Sequence, residues 1–188
     1  MFIQTEATPN PQTLKFLPGR VVLEKGTAEF RSAEEAEQSP LASRLFAIRG
    51  VTGVFFGYDF VTVTKDDGEW QHLKPAILGT IMEHFMSNAP VMGSGASTEE
   101  ELDSGEEFYD EDDVSIVATI KEILDTRVRP AVAQDGGDIT FRGFRDGKVY
   151  LNMKGSCSGC PSSTATLKHG VQNLLRHFIP EVQEVEAV

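Results

Sequence analysis

The two cysteines of this chain are the residues whose type and spacing carry the clearest chemistry. Cys157 and Cys160 stand in the run Gly-Ser-Cys-Ser-Gly-Cys-Pro that ends at Pro161. Thiolates three positions apart can hold a soft metal ion or cluster, or can cycle between dithiol and disulfide. Pro161 suits the first position of a helix, and the unpaired N–H groups of a helix start favour thiolate over thiol. The pair is therefore either half of a metal site or a redox site.

Histidine does not complete a metal site within one chain. His169 lies nine residues after Cys160 on the same predicted helix, about 13 Å along the axis at about 1.5 Å per residue. His177 lies farther away, and His72 and His84 belong to the other half of the chain. We interpret all four as surface or packing residues. Because zinc and iron–sulfur sites take four ligands, a second copy of the motif must supply two, which predicts a homodimer.

Two other functions for the cysteine pair stay open. A thiol–disulfide oxidoreductase would use Cys157 as its nucleophile. A thioredoxin-like motif belongs in a βαβ context, however, and we expect a hairpin before this motif and a single helix after it. A zinc-bridged structural dimer would use the same two thiols of each chain. A shared, accessible site suits a carrier better than an electron-transfer protein, so we do not expect an enzyme.

Composition limits the class of protein. The 188 residues are 40% hydrophobic and 24% charged, which is typical of one large globular domain or two small ones. No apolar run approaches the roughly 20 residues of a membrane span. The formal net charge of −12 makes nucleic acid a poor partner. The first residues resemble neither a secretion signal nor an Arg-rich presequence, so we expect a cytoplasmic protein.

An acidic segment divides the chain. No Lys or Arg occurs from Pro75 to Ile120, and ten acidic residues stand between Glu99 and Asp113. Small Gly- and Ser-rich residues precede them, and such a composition buries too little apolar surface to fold alone. We therefore predict an α+β protein of two small mixed domains, residues 1–86 and 113–188, joined by a flexible acidic linker over residues 87–112.

The domain over residues 113–188 should have the order α-β-β-α-β. Apolar residues at helical spacing predict a helix from Val114 to Val128 that Pro130 ends. Alternating residues around Asp146-Gly147 predict a hairpin, preceded by a turn in which Asp135 and Asp138 are turn residues. A second helix begins at Pro161, and a strand closes the domain over residues 182–188. The predicted apolar stripes are Val117, Ile120, Leu124 and Val128 on the first helix, and Leu167, Val171, Leu174 and Phe178 on the second.

The domain over residues 1–86 is also mixed. Strands are predicted at residues 2–6, 13–17 and 21–24, with a hairpin formed by residues 51–56 and 60–64. Helices are predicted at residues 40–48 and 70–86, and the second has Leu73, Ile77, Ile81 and Phe85 on one face. This domain contains no cysteine and can supply no thiolate.

Five segments of the sequence resemble a known family. The runs Arg129-Pro-Ala-Val-Ala-Gln-Asp-Gly-Gly-Asp138, Gly155-Ser-Cys-Ser-Gly-Cys-Pro-Ser-Ser163 and Pro180-Glu-Val are similar to the NifU C-terminal (Nfu) domain. Thr8-Pro-Asn-Pro-Gln-Thr-Leu-Lys-Phe16 and Trp70-Gln-His-Leu-Lys-Pro75 resemble the N-terminal domain of two-domain Nfu proteins. The resemblance covers nearly everything except the linker.

The resemblance implies an iron–sulfur cluster scaffold or carrier. It implies a [4Fe–4S] cluster bound between two protomers through Cys157 and Cys160 of each, and delivered to apo iron–sulfur client proteins. Upstream cluster assembly proteins are implied as partners, and residues 1–86 are implied to recognise clients or partner carriers. Relatives of this layout occur in bacteria and mitochondria, so we expect a bacterial cytoplasmic protein, or a mitochondrial matrix protein if the chain is a processed organellar form.

Overall fold

The structure is a computed structural model that describes residues 2–94, 107–156 and 161–188. Both cysteines lie in residues 157–160, outside this description. The chain divides into two compact units, Met1–Leu102 and Asp103–Val188. Each unit combines helices with a sheet, which confirms the predicted α+β class.

The described residues of the first unit form a five-stranded antiparallel sheet and three helices. Its strands, in the spatial order β1-β2-β5-β4-β3, are β1 (Gln4–Ala7), β2 (Thr13–Leu17), β3 (Ala28–Phe30), β4 (Val51–Phe56) and β5 (Val61–Lys65). Its helices are α1 (Ala33–Ala36), α2 (Pro40–Phe46) and α3 (Trp70–Met86). The predicted hairpin forms between β4 and β5, and the predicted apolar face of α3 is buried in the core at Leu73, Ile77, Ile81 and Phe85.

One predicted strand of this unit is wrong. Residues 21–24 alternate like a strand, but they form a loop between Gly19 and Gly26, both at positive φ. Val22 and Leu23 are buried, and their N–H groups both donate to the Tyr58 carbonyl, at 2.7 and 3.2 Å. Their apolar character therefore reflects a loop packed onto the core rather than a paired strand. β3 and α1 were not predicted, because runs of three and four residues carry too little periodicity.

In the described part of the second unit, a continuous helical stretch over residues 111–134 and a separate later helix accompany a three-stranded sheet. In chain order it has a 3₁₀ turn (Glu111–Asp113), α4 (Val114–Ile123), a π-helical segment (Leu124–Val128), α5 (Arg129–Gln134), β6 (Gly137–Arg145), β7 (Lys148–Gly155), α6 (Pro161–Phe178) and β8 (Glu184–Ala187). β7 is central, pairing antiparallel with β6 and parallel with β8. The predicted turn at Asp146 and Gly147 is confirmed, since both residues have positive φ, as a tight hairpin turn requires.

Pro130 does not end the first helix of this unit, contrary to the prediction. The helical path continues through the π-helical segment into α5 and stops at Gln134. A proline is tolerated in the first turn of a helix, where its missing N–H removes no helical bond. Pro130 occupies that position in α5, because the wide π turn before it starts a new helical register.

The stripe predicted on the second helix is partly wrong. Val171 is buried, but Leu167 and Leu174 are only partly buried, and Phe178 is 46% exposed. Leu175 and Ile179 lie in the core instead. The ring of Phe178 is covered by the guanidinium of Arg127 at 4.9 Å from its centroid. Phe178 has the helical spacing of the apolar stripe, but as the last residue of the helix it lies beyond the core and remains partly exposed.

Both described ends of the predicted linker contact the unit they adjoin. The Val91 carbonyl accepts from Ser39 Oγ at 2.5 Å, and the Gly93 N–H donates to the Gln38 carbonyl at 2.8 Å. At the other end, Phe108 forms a parallel bridge with Gly143 on β6. Residues 95–106 of the predicted linker lie outside the described residues.

Candidate functional site

The predicted ligands are each bonded directly to a described residue. Cys157 follows Ser156, and Cys160 precedes Pro161. β7 ends at Gly155, Ser156 follows it, and α6 begins at Pro161. Cys157 and Cys160 lie in the four residues between, outside the described residues, so their role as ligands stays a prediction. What the structure does describe is how both ends of this short loop are held.

Ser156 is held by the turn that precedes β6. It is fully buried, its hydroxyl donates to the Asp135 carbonyl, and its N–H donates to the Gly136 carbonyl at 3.3 Å. Gly136 and Gly155 have φ of +80° and +69°, a region that L side chains rarely adopt. These two glycines let both chain segments turn sharply at the same place. The Asp-Gly-Gly run and the Gly-Ser-Cys run, 20 residues apart in sequence (135 to 155), therefore form one local structure.

The other end of the loop is a helix start. α6 begins at Pro161, as predicted, and extends over 18 residues to Phe178. The first N–H groups of a helix have no partner within it, and they carry partial positive charge. This environment favours the thiolate form of cysteines at the helix start, which is the form that binds soft metals.

Asp138 is a buried ion-pair residue rather than the turn residue that was predicted. It lies on β6 with its side chain 6% exposed, and it accepts from Arg129 Nε and Nη2 at 3.0 Å each. The Ile139 N–H also donates to Asp138 Oδ1 at 2.8 Å. Hydrogen bonding with Asp138 raises the pKa of Arg129, which stays charged. The turn is shorter than predicted, because β6 already begins at Gly137.

This ion pair connects α5 to the end of the hairpin that leads to the cysteines. Arg129 also contacts Asp125, one helical turn earlier, at 3.2 Å. Asp138 is the cross-strand neighbour of Lys154, itself buried, and the next pair of the ladder is Gly137 with Gly155. Sequence reasoning missed Arg129 and Ser156 as site residues. Lys154 stands three residues before Cys157, so the sequence already places its charge close to the cysteines, whereas Ser156 offered no signal.

The four histidines stand where the sequence placed them. His72, His169 and His177 are exposed, and His84 is buried on α3 with its Nε2 3.0 Å from the Pro90 carbonyl. Within residues 2–94, 107–156 and 161–188, no group of three or more His, Cys, Asp or Glu side chains is arranged to hold a metal. The interpretation of the histidines as surface or packing residues is confirmed.

The hairpin expected before the cysteine pair and the helix expected after it are both present, but the conclusion that this is not a βαβ context is wrong. β7, α6 and β8 form a βαβ unit, because β8 returns parallel to β7. The four residues with both cysteines connect β7 to α6 within this unit. The sequence could not show this, since residues 184–187 do not reveal which strand they pair with or in which direction. The structural context therefore gives no ground to reject dithiol chemistry.

No helix in the described part of the chain has the length and apolar character needed to cross a membrane.

Comparisons with known families match both units. Residues 3–88 match the family described as "Scaffold protein Nfu/NifU N terminal", and residues 120–186 match "NifU-like domain". Together these matches cover well over half of the chain. The chain belongs to the Nfu/NifU scaffold family.

Individual relatives align with the whole of this chain. The human protein named "NFU1 iron-sulfur cluster scaffold homolog, mitochondrial" is 54% identical over the whole of this chain and 72% of its own length. The relative of the same name in Drosophila sechellia is 51% identical over the whole chain and 65% of its own length. This chain thus spans less than two thirds of the fly relative.

Two solved structures each cover about half of the chain or less. The solution structure of a NifU-like protein from Saccharomyces cerevisiae covers 51% of this chain and 87% of its own, with 26% identity and a TM-score of 0.45. The crystal structure of Staphylococcus aureus protein SAV1430 covers 43% and 99%, with 22% identity and a TM-score of 0.39. Because both scores are below 0.5, the family assignment rests on the sequence matches.

Proposed function

We propose that this protein is an iron–sulfur cluster scaffold and carrier that binds a [4Fe–4S] cluster between two protomers and transfers it to apo-proteins. The observation that carries the proposal is the position of Cys157 and Cys160, between the anchored Ser156 and the first residue of α6. Membership of the Nfu/NifU scaffold family and the names of the relatives support it.

The cluster is cargo, and the donor set fits it. Thiolate sulfur is the preferred ligand of iron–sulfur clusters, and four are needed for a [4Fe–4S] cluster. One chain has two cysteines. Since one chain supplies two of the four thiolates, a second protomer is the available source of the other two. Homodimerisation is thus part of the proposal.

Release follows from the same arrangement. Each protomer would hold the cluster by only two sulfurs, so thiolates of a client protein can replace them in steps while the cluster stays ligated. Nothing is oxidised or reduced in such a ligand exchange, and each departing cysteine takes up the proton that an incoming thiol gives up. We therefore propose a transfer protein and not an enzyme.

The partners are proposed by role. Cluster assembly proteins would supply the cluster, apo iron–sulfur proteins would receive it, and residues 1–86 would recognise clients or partner carriers. The mitochondrial names of the relatives support the organellar alternative. We accordingly propose the mitochondrial matrix rather than the bacterial cytoplasm as the compartment.

A thiol–disulfide oxidoreductase remains the second candidate, because one observation favours it. The cysteines connect a strand to a helix within a βαβ unit, which is the setting expected for a dithiol redox motif. A zinc-bridged structural dimer is a third possibility that uses the same four thiols.

One experiment separates the three. The full chain is reconstituted anaerobically with iron and sulfide, then examined by Mössbauer spectroscopy, metal analysis and native mass measurement. The carrier predicts one [4Fe–4S] cluster per two chains, and an apo [4Fe–4S] enzyme should be activated by this complex even when a chelator is present. A full cluster on a monomer without added thiol would contradict the shared site. Zinc uptake alone, or rapid reduction of disulfides without client activation, would establish one of the alternatives instead.

A further inference from the structure

Ser156 is the described residue immediately before the proposed ligands, and it is fully buried. We infer that the Ser156 hydroxyl is a positioning residue: it fixes the start of the Cys157–Cys160 loop against the C-terminal end of α5. The inference rests on the proposed function, since it concerns how the cluster-binding thiolates are held.

Ser156 donates two hydrogen bonds to the residues that directly follow α5. The Ser156 hydroxyl donates to the Asp135 carbonyl and the Ser156 N–H donates to the Gly136 carbonyl. The last carbonyl groups of a helix lack partners within the helix. Ser156 supplies partners to two successive carbonyls there. It cannot move away from α5 without breaking both bonds.

Anchoring Ser156 limits the reach of the first cysteine. Consecutive Cα atoms are about 3.8 Å apart, so the Cα of the residue after Ser156 stays within that distance of a fixed point. The residue after Cys160 is Pro161, the first residue of α6. Ser156 and the first residue of α6 are both held in place, so the two ends between which the thiolates stand are preorganised, and preorganisation strengthens binding.

The hydroxyl can be removed without touching the rest of the anchor. S156A deletes the side-chain donor, leaves the backbone bond to Gly136 and introduces no new volume. S156T restores a hydroxyl on the same carbon. Loss of the hydroxyl should loosen the start of the loop and speed the release of the cluster, while the ligands themselves stay in place.

The other unit offers a matched control. Ser39 is also fully buried; its hydroxyl donates to the Val91 carbonyl at 2.5 Å and accepts from the Ala42 N–H at 3.0 Å. S39A therefore removes a buried serine hydroxyl of the same kind from a unit that contains no cysteine.

The test compares full-length wild type, S156A, S156T and S39A. Each is reconstituted anaerobically, and the rate at which excess chelator removes the cluster is followed by visible absorbance. Amide hydrogen exchange of the peptide that spans the loop is measured on the apo proteins. We expect release from S156A to be about five-fold faster or more, the ratio that one lost hydrogen bond gives. S156T and S39A should stay close to wild type, and only S156A should exchange loop amides faster.

The outcomes separate this inference from the proposed function. If wild type takes up no cluster, the proposed function fails, and loop exchange in S156A still shows whether the hydroxyl holds the loop. If wild type takes up cluster and S156A releases it at the wild-type rate, the positioning role alone is overturned. An S156A protein that does not fold would make Ser156 a folding residue, which also overturns the inference.

Discussion

The two units bury polar side chains in different ways. Among the described residues of the first unit they fall in two places: Asn10, Thr13, Lys15 and Thr62 lie on or just before the paired strands β2 and β5, whereas Ser39 precedes α2 and His84 lies on α3. Among the described residues of the second unit they are Asp138, Lys154 and Ser156, which lie together at one end of the β6/β7 pair. That end leads directly to the cysteines. Burying a polar group costs free energy unless it is hydrogen-bonded. The buried polar side chains at this end of the hairpin therefore indicate that their hydrogen bonds hold the chain in a fixed position here.

The largest expected effect comes from the cysteines themselves. Cys157→Ser or Cys160→Ser should abolish stable cluster binding, because each change removes two of the four thiolates from the dimer. The apo fold should be unaffected, since the cysteines stand at a predicted loop–helix junction, outside the apolar stripes that the sequence predicts. Iron and sulfide analysis and apo thermal melts check this. Loss of cooperative unfolding in either apo variant would show that the cysteines are structural.

The next effect concerns the ion pair beside the site. Arg129→Ala would leave the buried carboxylate of Asp138 without its main partner. Breaking a buried pair from one side costs about 3–5 kcal/mol, and partial exposure of Arg129 puts our expectation near the lower value. Urea unfolding of the second unit measures the loss.

The matched control for that variant is Lys148→Ala in the same unit. Lys148 and Glu184 are both nearly half exposed, with Nζ and Oε2 3.6 Å apart. A surface pair of this kind contributes about 0–1 kcal/mol. Equal losses in the two variants would remove the distinction between the site end of the hairpin and the rest of the sheet.

A smaller effect is expected at the covered edge of β6. A Cβ on Gly143 would stand 2.5 Å from the ring of Phe108, whose N–H and carbonyl bond to Arg142 and Phe144. We expect Gly143→Ala to destabilise the second unit by about 1–3 kcal/mol, the usual cost of overpacking. Phe108→Ala in the same chain should recover part of that loss.

The control for this prediction is a helical glycine. A Cβ on Gly170 of α6 meets nothing within 4 Å. Gly170→Ala should therefore stabilise the unit by about 0.5–1 kcal/mol, because alanine is the better helix former. Thermal melts should show a lower melting temperature for Gly143→Ala, partial recovery when Phe108→Ala is added, and a higher melting temperature for Gly170→Ala. A stable Gly143→Ala protein would indicate that Phe108 does not occupy this edge in solution.

The smallest effect is a pH dependence of the first unit. Burial lowers the pKa of His84 from its ordinary value of 6.5. Nε2 faces the Pro90 carbonyl, and Nδ1 has no hydrogen-bond partner in the described structure. The unfolded chain therefore binds the proton first, so stability is complete above about pH 6.5 and falls as the pH drops towards the folded-state pKa.

Unfolding of the first unit between pH 5 and 7.5, with urea as denaturant, measures that slope. His84→Gln should flatten it, whereas His169→Gln, an exposed change in the other unit, should not. An unchanged slope in His84→Gln would assign the pH dependence to other groups.

Sequence periodicity was sufficient for the long elements and failed at short or pairing-dependent ones. α3 and the β6/β7 hairpin were predicted because 17 residues at helical spacing, or two alternating strands around Asp146-Gly147, carry their own signal. Residues 21–24 and Phe178 were misassigned because local pattern cannot tell a loop packed on the core from a strand, or a core position from the edge of a helix. Pro130 was misread because a π turn has no recognisable pattern in sequence.

For the site, the sequence by itself determined the chemistry: two soft donors, their spacing and a proline at the helix start. The tertiary structure decided what surrounds them. It paired Arg129 with Asp138, brought Asp135 and Gly136 to Ser156, and made β8 parallel to β7. The physical reason is that donor chemistry belongs to individual residues, which can be read one at a time. Hydrogen bonds across 20 residues and strand direction depend on how the whole chain packs, and no local pattern encodes them.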